Sequence, residues 1–140
     1  MGPEIRNMKL HCTLLLLILC AGCAKSIELS PEANQAALAS LKLIDDQAYV
    51  ESWEQAATIF RDEVTLEAWI TTVDGRRKPH GPLQARYQRS AVAQTNPTNH
   101  PEGDFILITY DSKFTEAVVV EALTMYSEGG RWRMAGYHLK

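Results

Sequence analysis

The chain has 140 residues, of which 46% are hydrophobic and 22% are charged, and its formal net charge is −3 at pH 7. This length and composition are typical of one globular domain and exclude two domains of ordinary size. The mildly acidic charge argues against nucleic acid as a partner.

The first 22 residues have the parts of an export signal. A basic residue, Lys9, precedes the apolar run at 14–19, and small residues follow that run. The run is much shorter than the roughly 20 apolar residues that cross a bilayer. Met8 offers a more economical start to this signal than Met1, and both starts stay open.

A lipid anchor is indicated by the end of this segment. Cys-Ala-Gly-Cys at 20–23 resembles the lipobox of bacterial lipoproteins, in which the last cysteine is acylated and becomes the mature N-terminus. The resemblance implies a signal peptide over 1–22, a lipid on Cys23 that binds the membrane, and a tether over 23–30. Cleavage by ordinary signal peptidase after Ala24 is the alternative.

The same residues imply a compartment. Alanine rather than aspartate after Cys23 resembles lipoproteins that are passed to the outer membrane, on the periplasmic side of the cell envelope. All three cysteines lie before residue 24, so the domain at 31–140 can form no internal disulfide and depends on its core for stability.

Three amphipathic helices are predicted in the first half of the domain. The first begins where Ser30 provides an N-cap hydroxyl and Pro31 the first helical position, and it continues to Asp45. The second extends over 50–64, and the third begins near Thr65 and ends at 74–75. The apolar positions of the second helix are Val50, Trp53, Ala57, Phe60 and Val64.

Strands are predicted from residue 83 onward, where the hydrophobic period changes to two. In the first strand the expected apolar face consists of Leu83, Ala85 and Tyr87, and the expected solvent-exposed face consists of Gln84, Arg86 and Gln88. Three more strands follow a long turn at 95–104, over 105–112, 117–126 and 131–139. Strands that follow one another through loops favour an antiparallel meander, which gives an α+β domain with three helices packed on a four-stranded sheet.

The domain sequence contains no phosphate-binding loop, metal-ligand spacing or nucleophile motif, so we predict no cofactor, no metal and no catalytic residue. The nearest approach to a metal cluster is His100, Glu102 and Asp104 in the long turn, for which a solvated turn is the better interpretation. Candidates for lining a ligand pocket are Trp53, Trp69, Tyr87, Tyr110 and Glu121. Core packing is the competing interpretation of the two tryptophans.

Two sets of charges have structural and functional interpretations. The basic residues at 76–78 could meet an anionic headgroup, although a triplet of this kind more often stabilises a helix end through the helix dipole. Arg86 and Glu121, both on predicted strands, are expected to form a cross-strand ion pair, which would contribute little if it were exposed.

Several segments together resemble a known family. The stretches SWEQAATIF, FILITYDSKF and VEALTMYSEGGRWRMAGYHLK are similar to the bacterial domain-of-unknown-function family 4019 over nearly all of 34–140. The family has no assigned activity. The resemblance implies the curved, cone-like fold of nuclear transport factor 2-like proteins, a fold that serves enzymes and plain binding domains alike.

The sequence is therefore compatible with two functions. The first is a non-catalytic, lipid-anchored envelope protein whose domain binds a protein or a small apolar ligand. The second is a small-molecule enzyme of the isomerase or dehydratase kind, which would need Asp111, Glu121 or His138 inside an apolar cavity with a shifted pKa.

The second and third strands also predict an interface, because both faces of each strand are apolar and three helices can cover only one of them. We expect the uncovered face to pack against a second copy or another envelope protein. The alternative is that Arg86, Arg133 and Lys113 cover it with their aliphatic stems. The alternating sets are Phe105 and Leu107 against Ile106, Ile108 and Tyr110 in one strand, and Val119 and Leu123 against Val118, Val120 and Ala122 in the other.

Overall fold

The computed structural model describes residues 25–140, so the predicted signal peptide and Cys23 lie outside the described residues. Helices come first and a sheet follows. The elements are α1 Pro31–Asp45, α2 Tyr49–Glu54, α3 Thr58–Glu63, α4 Leu66–Arg77, a 3-10 turn at Lys78–His80, β1 Leu83–Thr95, β2 Asp104–Phe114, β3 Val118–Glu128 and β4 Arg131–Leu139.

Helix α1 forms as its sequence predicts. The Oγ of Ser30 accepts a hydrogen bond from the backbone N–H of Ala33 at 3.2 Å, and Pro31 occupies the start of the helix, where no N–H is needed. Its apolar stripe is fully buried: Ala33, Ala37, Leu41 and Ile44.

The predicted second helix is split into α2 and α3. The chain leaves helical geometry at Ala57, whose N–H donates to the backbone carbonyl of Met134 on β4 at 2.8 Å. Ala56 and Ala57 are buried, and their small side chains allow this close approach to the strand. The prediction of one continuous helix was therefore wrong, and Val50, expected on its buried stripe, is 45% exposed.

Helix α4 begins after the Thr65 cap, as predicted, but it ends at Arg77 rather than at 74–75. The added turn brings the side chain of Arg77 under the sheet, where its guanidinium lies 5.0 Å from the ring centre of Phe114. A helical glycine costs only about 1 kcal/mol relative to alanine, so Gly75 does not stop a helix that gains this contact.

The sheet is the predicted antiparallel meander, with strand order β1-β2-β3-β4. Paired residues share a face, so we call the face packed on the helices the inner face and the opposite one the outer face. The fold class predicted from sequence, α+β with N-terminal helices packed on a four-stranded antiparallel sheet, is confirmed.

The faces of β1 differ from the prediction because register shifts lie between Leu83 and Ala85 and between Gln88 and Ser90. An extra residue in one strand moves every following side chain to the other face. Leu83 pairs with buried Phe114, whereas Arg86 pairs with buried Ser112, so both lie on the inner face. Tyr87 lies on the outer face and is 69% exposed.

The core fills the space between the helices and the inner face. Leu41 and Ile44 of α1 belong to one cluster with Ile108 and Leu123, and all four side chains are fully buried. The chain before α1 also touches the sheet, because Ile27 donates its N–H to the carbonyl of Ala91 at 2.7 Å on the free edge of β1. None of the helices in residues 25–140 has the length and hydropathy of a membrane span.

Candidate functional site

Two arginines and two carboxylates meet between the helices and the sheet. Asp45, Arg77, Arg86 and Glu121 form five close nitrogen-to-oxygen hydrogen bonds of 2.6–2.9 Å and one of 3.1 Å, and we call this group the ionic cluster. Its charges sum to zero. Because charges are costly to bury unless they are paired, the arrangement allows four ionised groups to lie beside the core.

Each member comes from a different element. Asp45 is the last residue of α1 and Arg77 the last of α4, whereas Arg86 and Glu121 lie on the inner face of β1 and β3. The two helix ends are thus tied to two strands.

Glu121 lies at the centre of the cluster and is completely buried. Its Oε1 accepts from Arg77 Nη1 at 2.9 Å and from Arg86 Nη2 at 3.1 Å, and its Oε2 accepts from Arg86 Nε at 2.6 Å. Burial alone would raise the pKa of this carboxyl, but the hydrogen bonds and charge of Arg86 outweigh it, and the pKa lies below its ordinary value. Glu121 is therefore ionised at neutral pH.

Two hydroxyls complete the coordination of Glu121. Ser112 and Tyr137 each donate to one of its carboxylate oxygens, and Tyr137 in turn accepts from Arg77 Nη1 at 2.7 Å. Burial and then the charge of Glu121 raise the pKa of Tyr137, so its phenol stays protonated. Each carboxylate oxygen of Glu121 therefore accepts hydrogen bonds from more than one donor.

Asp45 closes the cluster on the helical side. Its Oδ1 accepts from Arg77 Nη2 at 2.6 Å and from Arg86 Nη2 at 2.9 Å, and its Oδ2 accepts from Arg86 Nη1 at 2.8 Å. Arg86 is held by a carboxylate on each side, which raises the pKa of its guanidinium in spite of the burial that acts against it. A group held in this way carries a permanent positive charge and transfers no proton.

An open cleft lies beside the ionic cluster. Its volume is ≈ 530 Å³, and it is bounded by the ends of α1 and α4, the start of α2 and the start of β1. Asp45 and Arg77 belong to both the cleft wall and the cluster. The other lining residues are Gln47, Tyr49, Asp74, Lys78, Gly81, Pro82 and Leu83.

The two tryptophans among the pocket candidates lie in the helical layer. Trp69 is 3% exposed, and its indole N–H donates to the hydroxyl of Ser52 at 2.9 Å. Trp53 packs against the core and donates to the carbonyl of Val64 at 2.7 Å. Because both polar atoms are satisfied within the protein, these contacts agree with the core-packing interpretation.

The other three pocket candidates divide between the faces of the sheet. Tyr110 and Glu121 are paired neighbours on the inner face, while Tyr87 lies on the outer face. Tyr110 is 3% exposed, and its hydroxyl has no hydrogen-bond partner among residues 25–140. Whether any of the five candidates binds a ligand stays a prediction.

The three residues that the enzyme hypothesis named do not come together. Glu121 lies inside the ionic cluster. Asp111 pairs with Arg89 on the outer face at 3.3 Å, and His138 is exposed, with its Nδ1 3.5 Å from Arg76. Asp111 and His138 thus lie on the opposite side of the sheet from Glu121.

The turn residues considered for a metal make separate contacts. The Asp104 carboxylate accepts from Thr95 at 2.8 Å, the carbonyl of Glu102 accepts from Tyr126, and the His100 ring packs on Phe105. Across residues 25–140, no three His, Cys, Asp or Glu side chains are grouped as metal ligands would be.

The basic triplet at 76–78 is dispersed by the fold. Arg77 is 8% exposed within the ionic cluster, Arg76 points to His138, and Lys78 lies at the cleft. Arg76 and Arg77 occupy the last turn of α4, where positive charge is favourable for the helix dipole.

Sequence reasoning found the Arg86–Glu121 pair but missed Asp45 and Arg77. The pair is confirmed, and it is buried rather than exposed. Asp45 appeared only as the polar end of the α1 stripe, and Arg77 as part of a surface triplet. The sequence did contain a signal, because two arginines lie near apolar segments and a buried arginine needs an acidic partner. The spacing of the residues does not show which acids are the partners.

Comparison with known proteins places the chain in one family. The model described as Protein of unknown function (DUF4019) matches residues 36–137, a range that includes all four members of the ionic cluster. No curated protein and no solved structure gives a significant match to the chain.

Proposed function

We propose that this protein, which belongs to the DUF4019 family of proteins of unknown function, has a domain that acts as a non-catalytic interaction module. A lipid on Cys23 holds it to the cell envelope on the periplasmic side, and the outer face of its sheet binds a partner. The observation that carries this proposal is the contrast between a filled inner face and an outer face that exposes large apolar side chains.

The outer face has the composition of a docking surface. Val118 is 72% exposed, Tyr87 69% and Leu107 43%, and they belong to three neighbouring strands. Long side chains were the alternative cover for this face. Arg86 points to the inner face instead, and Arg133 donates to the carbonyl of Gln55, whereas Lys113 pairs in register with Val118 and lies on the outer face. Apolar side chains exposed on one sheet face are the basis on which we place an interface there.

A second copy of the chain is the partner that fits this surface best. A two-fold interface brings the same patch together with itself, so the patch must be complementary to itself. The outer face carries both charge signs, with Arg89 and Asp111 3.3 Å apart and 57% and 44% exposed. In a two-fold dimer this ion pair, which forms within one copy, would have to exchange partners between the copies.

The non-catalytic part of the proposal is supported by how the candidate acids and bases are used. Glu121 is ionised and surrounded by donors, so it has neither a proton to give nor a free oxygen with which to take one. Asp111 is engaged with Arg89, and His138 is exposed to solvent. General acid–base catalysis needs a group within reach of a bound substrate and with a suitable pKa.

Cysteine cross-linking in the envelope tests the partner. The domain lacks cysteine, so Val118→Cys introduces a single thiol on the outer face, and Leu38→Cys introduces a matched thiol on α1, where Leu38 is 50% exposed. With the full chain, a short thiol-reactive cross-linker should join two copies through residue 118 and not through residue 38. The unaltered chain reports any reaction at the three cysteines before residue 24.

The result distinguishes the possible occupants. A dimer-sized product specific to Val118→Cys supports self-association, and Leu107→Lys in the same chain should abolish it by placing a charge in the interface. Equal products at both positions, or none at residue 118, would overturn self-association. A specific product of another size would identify a different envelope protein as the partner.

A further inference from the structure

The cleft beside the ionic cluster has features of a ligand site that the interaction proposal does not use. Its volume of ≈ 530 Å³ lies within the range of about 300–1,000 Å³ that is common for small-molecule sites. Its lining comes from the helix ends, the 3-10 turn and the start of β1, and includes none of the exposed apolar residues of the outer face. A ligand there would leave the proposed interface accessible.

The charges at the floor of the cleft are already used. Asp45 accepts hydrogen bonds on both oxygens, and Arg77 donates from both terminal nitrogens to partners within the protein. A ligand that bound to either charge would compete with the ion pairs of the cluster. Asp45 and Arg77 therefore contribute the shape of the cleft floor and its local electrostatic field rather than the charges that bind the ligand.

Two charges lie on the cleft wall, and one of them, Asp74, also interacts with the hydroxyl of Tyr49. Asp74 and Lys78 both line the cleft, and within residues 25–140 neither forms an ion pair. They are four residues apart, a spacing at which opposite charges on a helix normally meet. Lys42 and Asp46 have that spacing and pair at 2.6 Å, so the open arrangement of Asp74 and Lys78 contrasts with a closed pair in the same chain.

The third feature is a partly apolar wall. Tyr49 is 8% exposed, and Pro82 and Leu83 lie across the cleft at the start of β1. Burial, and next the charge of Asp74, raise the pKa of the Tyr49 phenol. The cleft lining thus includes both charge signs and, at Pro82 and Leu83, apolar carbon.

We propose that the cleft binds a small zwitterion of amino-acid type, with its ammonium group at Asp74, its carboxylate at Lys78 and its side chain against Tyr49 and Leu83. A free amino acid and the terminal residue of a short peptide share this chemistry. The site does not depend on self-association through the outer face, so each proposal can fail without the other.

Ligand-observed NMR on the full chain in a mild detergent tests the site. L-leucine and glycyl-L-leucine are the two probes, and they distinguish a free amino acid from a peptide. Leucinamide, which lacks the carboxylate, and 4-methylpentanoate, which lacks the ammonium group, are their matched controls. We expect at least one zwitterion to bind and each control to bind about ten-fold or more weakly, as the loss of one charge-assisted hydrogen bond implies.

Variants connect binding to the cleft. Asp74→Asn and Lys78→Gln should each raise the dissociation constant by about ten-fold or more. Glu67→Gln, a matched change at an exposed site in the first turn of α4, should leave it unchanged. Failure of both zwitterions to bind the unaltered chain, or equal binding by Glu67→Gln and Asp74→Asn, would overturn the proposal.

Discussion

Arg86 and Glu121 lie on strands that are separated by β2, yet Arg86 Nε is 2.6 Å from Glu121 Oε2. The pair can cross the intervening strand because Ser112, which pairs with Arg86 in register, has a small side chain and itself donates to Glu121. Tyr137 of β4 also donates to Glu121, so all four strands are joined at one carboxylate. Asp45 and Arg77 then connect this carboxylate to the helical layer.

Replacing Glu121 should strongly destabilise the domain. Glu121→Gln keeps the volume of the side chain but leaves Arg77 and Arg86 buried with one carboxylate between them, and breaking a buried pair typically costs about 3–5 kcal/mol. A domain of this size has only about 5–15 kcal/mol of stability in total. Urea unfolding followed by tryptophan fluorescence measures the loss. Asp111→Asn, at an exposed ion pair, should change stability by less than about 1 kcal/mol; equal losses would contradict the central role of Glu121.

The effects of Arg86 and Glu121 should not add. Arg86→Met alone leaves Glu121 short of a partner, and Glu121→Leu alone leaves Arg86 without its inner carboxylate, whereas the double variant removes both charges together. Interaction energies between such neighbours are about 0.5–3 kcal/mol, so the double variant should be more stable than the sum of the single losses predicts. A double-mutant cycle by urea unfolding measures this coupling, and strict additivity would show that the two side chains act independently.

Stability should fall in acid because of Glu121. Its pKa in the folded protein is below the ordinary value of 4.5, so the ionised form is favoured by folding. The stabilisation is complete above about pH 5, where the carboxyl is ionised in both states, and it is lost as pH falls through the ordinary pKa and then the lower folded pKa. Melting temperature measured from pH 7 to pH 3 should therefore drop less steeply in Glu121→Gln than in the unaltered chain. Parallel curves would assign the acid sensitivity to other carboxyls.

Replacing Trp69 should destabilise the domain more than replacing Trp132. It is 3% exposed, with Phe60 and Tyr137 packed at its edges, so Trp69→Ala should cost about 3–5 kcal/mol. Ser52→Ala removes only the acceptor of the buried indole N–H and should cost about 1–3 kcal/mol. Trp132 is half-buried at the margin of the core, and Trp132→Ala should cost less than Trp69→Ala. Melting curves of the three variants check this order, and a smaller loss for Trp69→Ala would contradict it.

The sheet could be predicted from sequence because period-two patterns are local. β2, β3 and β4 begin and end within two residues of their predicted positions, and the long turn falls where proline, asparagine and glycine cluster. The phase of β1 could not be predicted, because an extra residue at Gln84 reverses the faces and leaves no mark in the hydrophobic pattern. For this reason Tyr87, expected on the apolar face, lies on the outer face, and Arg86, expected on the solvent-exposed face, lies on the inner face.

The ionic cluster could be predicted only in part because its members are far apart in sequence. Arg86 and Glu121 are 35 residues apart, and Asp45 is 41 residues from Arg86, so their meeting depends on the packing of whole elements. The break in the helix at Ala57 also depends on a contact between residues that are distant in sequence, since Ala57 donates its N–H to the carbonyl of Met134. Local propensity favours one long helix there, and the contact with β4 overrides it.

The lipid anchor is tested by metabolic labelling with palmitate. If Cys23 is acylated, the unaltered chain should take up label and stay with the membrane fraction, since each buried CH₂ of an acyl chain contributes about 0.8 kcal/mol to membrane binding. Cys23→Ala should lose the label. Cys20→Ala is the matched control, because it removes a cysteine three positions away and should keep both the label and the membrane location. Undiminished label in Cys23→Ala would contradict acylation at this residue, and an unlabelled, released parent chain would favour ordinary cleavage after Ala24.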